Sequence, residues 1–381
     1  MTQRSGIHIL DSLGSIAPAQ WDALAGDHPF VSHAFLHTLQ ETGCTGKDTG
    51  WQPCHLTLWK NGALAAAMPL YEKTHSYGEY VFDWAWADAY HRHGLNYYPK
   101  LVCASPFTPV CGPRVLAGSL ADRRLLIDTA LACARDSGAS SLHCLFPDQE
   151  SAQALHSAGM MMRSSVQFHW QNEGFPHFEA FLARMNHDKR KKVRQERRKV
   201  ESAGIVYRWA SGTEASPADW RFFIECYNRT YREHHSSPYL NLDFFLRLTV
   251  AMPENLLLII GERDGTPVAC ALNVLGNNTL YGRYWGSREF ISGLHFETCY
   301  YQAIEFCIAR GIARFEGGAQ GEHKLARGLL PVATVSGHWL AHPEFATAVS
   351  RFLERETRGI GQYVSELEDH SPFKASGERI G

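Results

Sequence analysis

The chain reads as two diverged copies of one mixed α/β unit. Three features carry that reading. A strand–turn–strand signature occurs twice, an amphipathic helix stopped by Gly leads into a further strand after each signature, and a strongly basic segment separates the two copies. In the first copy the apolar run His55–Trp59 is followed by Asn61-Gly62 and then by Leu64–Leu70. Asn-Gly between two such runs favours a tight hairpin, because both turn residues accept positive φ. A third strand is expected over Tyr80–Trp84, then an insert rich in aromatics and Pro, long enough to be functional. A helix over Leu120–Ser137 follows, with Ser119 as N-cap and Gly138 as stop, and then a strand over Ser141–Phe146.

The second copy repeats the order. Leu256–Glu262 and Pro267–Leu275 flank Asp264-Gly265, and Thr279–Trp285 forms the third strand. The helix is expected over Thr298–Arg310, on the apolar stripe Tyr300, Ala303, Ile304, Cys307 and Ile308, with Gly311 as stop and Ala313–Glu316 as the returning strand. The expected boundaries are a first domain over 1–175, a helical connection over 176–204 and a second domain over 205–381.

Composition narrows the function. The 381 residues are 45% hydrophobic and 20% charged with net charge −2, values of a folded globular chain with no overall attraction to nucleic acid. Any basic site is therefore local. The one local run is Lys189, Arg190, Lys191, Lys192, Arg194, Arg197, Arg198 and Lys199, opposed by Asp188 and Glu196. It is either a solvated helix joining two domains or a platform for the phosphates of a nucleotide, a carrier or tRNA. The N-terminus has no basic start leading into a long apolar run, and no apolar stretch is long enough to span a bilayer, so a cytoplasmic protein without a transmembrane segment is expected. Ten scattered cysteines, none spaced C-x-x-C, read as free thiols. Among 20 histidines, the pairs His91/His93, His33/His37 and His234/His235 bring no nearby carboxylate or Cys set, and no metal is expected.

Three long strings resemble a known family: Phe82-Asp83-Trp84-Ala85-Trp86-Ala87-Asp88-Ala89-Tyr90 running on to Gly94–Lys100, then Pro106–Arg114, and Gly293-Leu294-His295-Phe296-Glu297 running on to Gln320–Lys324. With the duplication, the basic helix and Glu316-Gly317-Gly318 before Lys324, they resemble the FemAB-like predicted N-acyltransferases, relatives of the FemABX peptidyltransferases. The resemblance implies two tandem GNAT-like acyltransferase domains. Its better-known members move amino acids from aminoacyl-tRNA to cell-wall precursors. Ordinary GNAT enzymes cradle the acetyl-CoA pyrophosphate with a Q/R-x-x-G-x-G/A loop ahead of the main helix. Neither Arg288–Glu297 nor Pro106–Gly118 has that spacing, which points away from acetyl-CoA and toward a larger acyl or aminoacyl donor.

Acyl transfer to an amine needs a proton acceptor, a held donor carbonyl and a stabilised oxyanion. Lys324 matches the Lys of the Fem-type F-K motif, with His323 in place of the aromatic residue, and is the candidate for the oxyanion or donor phosphates. Glu316, Glu297 and His295 are the candidate bases, and the sequence leaves the choice among them open. Arg283, Tyr284 and Trp285 are candidates for the donor wall, and Gly317, Gly318 and Gly321 for a close backbone approach. Asp83, Trp86, Asp88, Tyr90 and Arg114 are candidates for the acceptor cleft, and His234 and Tyr239 for a lid. No tightly bound cofactor is expected. The co-substrate is acyl-CoA or aminoacyl-tRNA, the latter held through Lys189, Arg190, Lys191, Lys192, Arg194 and Arg198, and the acceptor is a small or peptide-like amine. Two other functions fit the same residues: a non-catalytic tRNA- or phosphate-binding module, and a small-molecule acyl-CoA-dependent acyltransferase.

Overall fold

In the computed structural model, residues 5–318 and 321–374 are described. Fifteen strands among them are, in chain order, β1 (Gly6–Leu10), β2 (Trp51–Pro53), β3 (His55–Lys60), β4 (Ala63–Met68), β5 (Leu70–Lys73), β6 (Lys100–Cys103), β7 (Leu116–Ala117), β8 (Ser141–Leu145), β9 (Met161–Gln171), β10 (Ile205–Ser211), β11 (Leu256–Arg263), β12 (Thr266–Gly276), β13 (Thr279–Ser287), β14 (Arg314–Glu316) and β15 (Leu330–Leu340). The chain divides into two compact units. One holds the residues up to Ser165 with Ala333–Gly361, the other Val166–Val332 with the residues from Gln362 on.

In the first unit, β1, β3, β4 and β7 form an antiparallel sheet in that order. The β3–β4 hairpin turns at Asn61 and Gly62, both at positive φ, as the Asn-Gly pair predicts. In the second set of strands, β15 pairs antiparallel with β8, β8 parallel with β6, β6 antiparallel with β5 and β5 antiparallel with β2. The parallel β6–β8 pair is joined by the helix Leu120–Asp136, whose start is capped by the Ser119 hydroxyl. Leu126, Ile127 and Ala130 of this helix pack on Leu56, Met68, Leu101 and Leu142 to make the core.

The second unit has the strand order β10-β11-β12-β13-β14-β9, antiparallel except for the parallel pair β13–β14. The β11–β12 turn again places both residues, Asp264 and Gly265, at positive φ. The β13–β14 crossover is the helical segment from Leu294 to Arg310. Each unit thus contains a hairpin and a β-helix-β crossover, which is the duplication the sequence announces.

Three expectations differ from the structure. Tyr80–Trp84 is not a strand: Tyr80 sits at positive φ and Trp84–Arg92 is a helix burying Trp86 and Tyr90. The run of aromatics has β propensity, but a one-turn spacing of Trp86 and Tyr90 puts both rings on one helical face. The strand that takes the third place is β6, which falls inside the insert, with part of the insert before it and part between it and the helix. The expected domain limits also shift. The connection over 176–204 is part of the second unit, because Phe178, Phe181, Leu182, Met185 and Val193 lie in that unit's core. Ala333–Gly361 joins the first unit, because Ser336–Leu340 pairs with β8.

Candidate active site

The second unit carries a small cavity where its two parallel strands part. β13 and β14 pair only at Thr279–Arg314, Leu280–Phe315 and Tyr281–Glu316. β14 then ends, whereas β13 continues to Ser287. Against β12, Gly282 faces Asn273 and Tyr284 faces Leu272, so Arg283 is one residue too many on its strand. Such a bulge bends a strand and re-aims side chains. The space opened between the strands, about 110 Å³, is lined by Gly282, Arg283, Tyr284, Trp285, Phe315 and Gly317.

A helix closes the other wall. Gly293, at φ 90°, leads into Leu294–Phe296, and Glu297–Tyr301 winds as one π-helical turn before Gln302–Arg310 continues as α-helix. The wider turn adds a residue, and His295, Cys299 and Tyr300 all reach the cavity. The His295 ring lies 4.5 Å from the Trp285 ring. Burial, then the neighbouring His323, Arg327 and Lys324, hold His295 down to about 4, so it is neutral at neutral pH.

Lys324 sits in the 3-10 turn Glu322–Arg327, is 4% exposed, and donates from Nζ to the Gly318 carbonyl at 2.9 Å. Gly317 leaves no room for a side chain, since a Cβ there would stand 2.6 Å from Leu329 and 3.7 Å from the Lys324 chain. Gly318 and Gly321 take positive φ, so this loop needs its glycines for conformation and for packing. Burial lowers the Lys324 ammonium to about 8, against the Cys299 side chain, which raises it, and with Arg283 lowering it further. Burial lifts Glu316 to about 7, only partly offset by Arg314 and Arg283. Among the described residues its Oε2 has no hydrogen-bond partner. Directly opposite Glu316 on β9 stands His169, with Nδ1 3.9 Å from Oε1, held to about 3 chiefly by burial.

The remaining sequence candidates separate. Glu297 accepts from Arg197 Nε at 3.2 and 3.1 Å and from Gln302 at 2.8 Å, so both its oxygens are engaged in holding helices together. The Tyr284 ring packs on Tyr227 at 5.0 Å. Asp83, Trp86 and Tyr90 belong to the first unit, where Asp83 pairs with the fully buried Lys100 at 2.5 Å and Trp86 packs on His338. Asp88 is exposed and paired with Arg92. Arg114 is fully buried and spends its guanidinium on the carbonyls of Leu145 (2.8 Å), Val110 (2.5 Å) and Pro113 (3.3 Å), so it braces loops and faces no cleft. His234 is exposed beyond the helix Pro217–Glu233, and Tyr239 packs edge-on to Tyr231.

The basic segment is the helix His187–Ser202, capped by Asn186. Lys191, Lys192 and Arg198 are exposed, Lys189 and Arg190 half-buried, and Arg194 pairs with Glu179 at 2.5 Å. Glu196 and Arg197 point inward instead. His169, Cys299, Tyr300 and Arg327 carry no motif that marks them in the sequence. Only the strand alternation Gln167–His169–Gln171 against Phe168–Trp170 holds a signal for His169. Among the described residues no group of His, Cys, Asp and Glu is arranged to hold a metal ion, and no helix is long and apolar enough to cross a membrane.

No curated protein matches the sequence. Among solved structures the chain is similar to FemX, at 11% identity over 88% of this chain and 98% of that one, with a TM-score of 0.55. It is also similar to L-PGS from Bacillus licheniformis, at 11% identity over 88% and 97%, with a TM-score of 0.52. A tandem GNAT protein from the clavulanic acid biosynthesis pathway aligns at 11% identity over 88% and 98%, with a TM-score of 0.46. At such identities the likeness is one of fold. The fold is mixed α/β in two compact units, each with a hairpin and a crossover, and it is similar to that of FemX. The sequence itself matches the FemAB-like family, described as peptidoglycan biosynthesis/recognition, over residues 12–375. With hairpin, bulged strand, crossover helix and glycine loop all lying inside that match, the chain belongs to the FemAB-like family.

Proposed function

We propose that the protein is a cytoplasmic N-acyltransferase that moves an acyl or aminoacyl group from an activated donor to an amine. The carrying observation is the cavity at the parting of β13 and β14, with Lys324 and Glu316 on the loop and strand that leave it. In this reading the donor carbonyl enters the parting. The amine nitrogen attacks the carbonyl carbon, and its proton passes to Glu316, a carboxylate that burial has brought to about 7. The tetrahedral oxyanion is met by the Lys324 ammonium. The intermediate collapses with loss of the donor's thiol or hydroxyl, which takes a proton back. Cys299 is unsuited to a covalent role, because burial pushes its thiol far up.

Arg288–Gly293 offers no glycine spacing for a CoA pyrophosphate, and the exposed lysines of the basic helix suit a polyanionic donor. These features support aminoacyl-tRNA or a long acyl donor over acetyl-CoA. The test is to incubate purified protein and a mixture of peptide and small amines with acetyl-CoA, long-chain acyl-CoA or charged tRNA, and to follow donor loss and product mass. Consumption of one donor with an amide product supports the reading. Binding of tRNA without turnover of any donor makes the chain a binding module.

A further inference from the structure

Two consecutive residues of the basic helix face inward, toward the two elements that carry the candidate active site. Val193 and Val200 are 1% exposed and mark the buried stripe, and Glu196 and Arg197 lie between them on that face. Arg197 reaches Glu297 at one end of the π-helical turn, with a second contact to Glu305 at 2.7 Å. Glu196 reaches the other end, where its Oε2 accepts from the Tyr301 hydroxyl. The same carboxylate accepts through Oε1 from Arg327 at 2.8 Å. Arg327 is the last residue of the turn that carries Lys324; it is 3% exposed, donates to the His323 carbonyl at 2.6 Å and lies 3.3 Å above the Phe296 ring.

We infer that Glu196 is a positioning residue, which through Arg327 and Tyr301 fixes the Lys324 turn against the π-helical wall of the cavity. Among the described residues the Gly318 carbonyl is the acceptor for Lys324, which otherwise depends on its turn for its place. The turn is short, and 3-10 geometry gives it weak internal hydrogen bonds. Among the described residues its ion pair to the rest of the unit is Arg327–Glu196, with side chains 4% and 13% exposed. A charged pair this dry resists breaking, because either partner left alone stays buried and unpaired. The Tyr301 contact makes the tie three-cornered, joining helix, wall and turn through one carboxylate.

The inference rests on Lys324 acting in the proposed reaction, but its test reads Lys324 directly. Trace labelling of amines with acetic anhydride across pH, read at the Lys324 peptide by mass spectrometry, reports the titration of that lysine alone. In the wild type the midpoint is expected at about 8, because burial lowers it. In Glu196→Gln the turn loosens, water reaches the ammonium, and the midpoint climbs toward the ordinary lysine value. Arg327→Lys keeps an ion pair to Glu196 and leaves the midpoint near 8. Turnover of the donor identified above falls by up to about 10²-fold in Glu196→Gln with little change in KM, as expected for a displaced group. A Lys324 midpoint that stays at about 8 in folded Glu196→Gln overturns the inference. Lys324→Ala with full turnover overturns the catalytic reading instead, and leaves the labelling result standing.

Discussion

In the proposed chemistry Glu316 and Lys324 set a narrow pH window, and that window is its sharpest test. Glu316 must be ionised to take the proton of the amine, and Lys324 must be protonated to meet the oxyanion. Burial raises the first to about 7 and lowers the second to about 8, so the two limbs of the profile stand about one unit apart. At about pH 7.5 about 0.6 of the molecules hold both groups in the working state, and about two units to either side turnover falls roughly 20-fold. Ordinary carboxylate and lysine values would instead give a broad plateau from about pH 5 to about 10. The assay is kcat against pH with the donor saturating. Glu316→Gln removes the acid limb and about 10²-fold or more of the rate. Lys324→Ala removes the alkaline limb at a cost of about 10²-fold. A wild-type profile flat between about pH 6 and about 9, or limbs that survive both substitutions, refutes the assignment of these two groups.

Three further outcomes follow from the contacts. Lys100 is fully buried against Glu79 at 2.8 Å, Asp83 at 2.5 Å and Ser76, so Lys100→Met leaves two buried carboxylates and costs about 3–5 kcal/mol in urea denaturation; a cost below about 1 kcal/mol means water reaches the cluster. Glu297→Gln weakens the bonds from Arg197 and is expected to lower stability by about 1–3 kcal/mol while turnover changes less than about fivefold, and a collapse of kcat at unchanged stability would return Glu297 to the candidate bases. Replacing the exposed Lys191, Lys192 and Arg198 by Gln is expected to reduce the slope of log affinity for tRNA against log salt by about 0.7–0.9 for each phosphate left without its cation, whereas an unchanged slope leaves the outer face of the helix as solvated surface.

The sequence displays the regular parts of this molecule more clearly than the working parts. Asn61-Gly62 and Asp264-Gly265 declare their hairpins, because a two-residue turn with two positive φ values is a local demand. Ser119 and Gly311 mark helix ends for the same reason. The third strand of the first copy is not legible in this way. Tyr80–Trp84 has the composition of a strand, but Asp83 is taken by Lys100, seventeen positions later, in a cluster no local pattern reveals. Arg114 looks like a cleft residue because Arg is rarely buried; three backbone carbonyls account for it instead. Glu297 is legible as a carboxylate near the right helix, but its engagement by Arg197, a hundred positions away, is not.

The candidate site is assembled where regular structure is broken, and this is why its residues are only partly legible. The extra residue at Arg283, the wide turn at Glu297–Tyr301 and the glycine loop at Gly317-Gly318 each depart from the period that reveals a strand or a helix. Each departure is stabilised by distant partners. A Cβ at Gly282 would stand 3.1 Å from the Phe315 ring, which would have to give by a few tenths of an ångström, and Gly293 holds φ 90° with the Glu196 carbonyl 3.1 Å from where a Cβ would stand. The basic helix illustrates the consequence. Read along the chain it is a run of positive charge, either a solvated joining helix or a platform for an anion. Wound into a helix it has two faces that its sequence superimposes: Lys191, Lys192 and Arg198 exposed on one, and Glu196 and Arg197 inward on the other, in contact with the wall and with the turn that carries Lys324. The one glutamate in the middle of the run, which by composition only dilutes its charge, is the residue whose removal the lysine is expected to register.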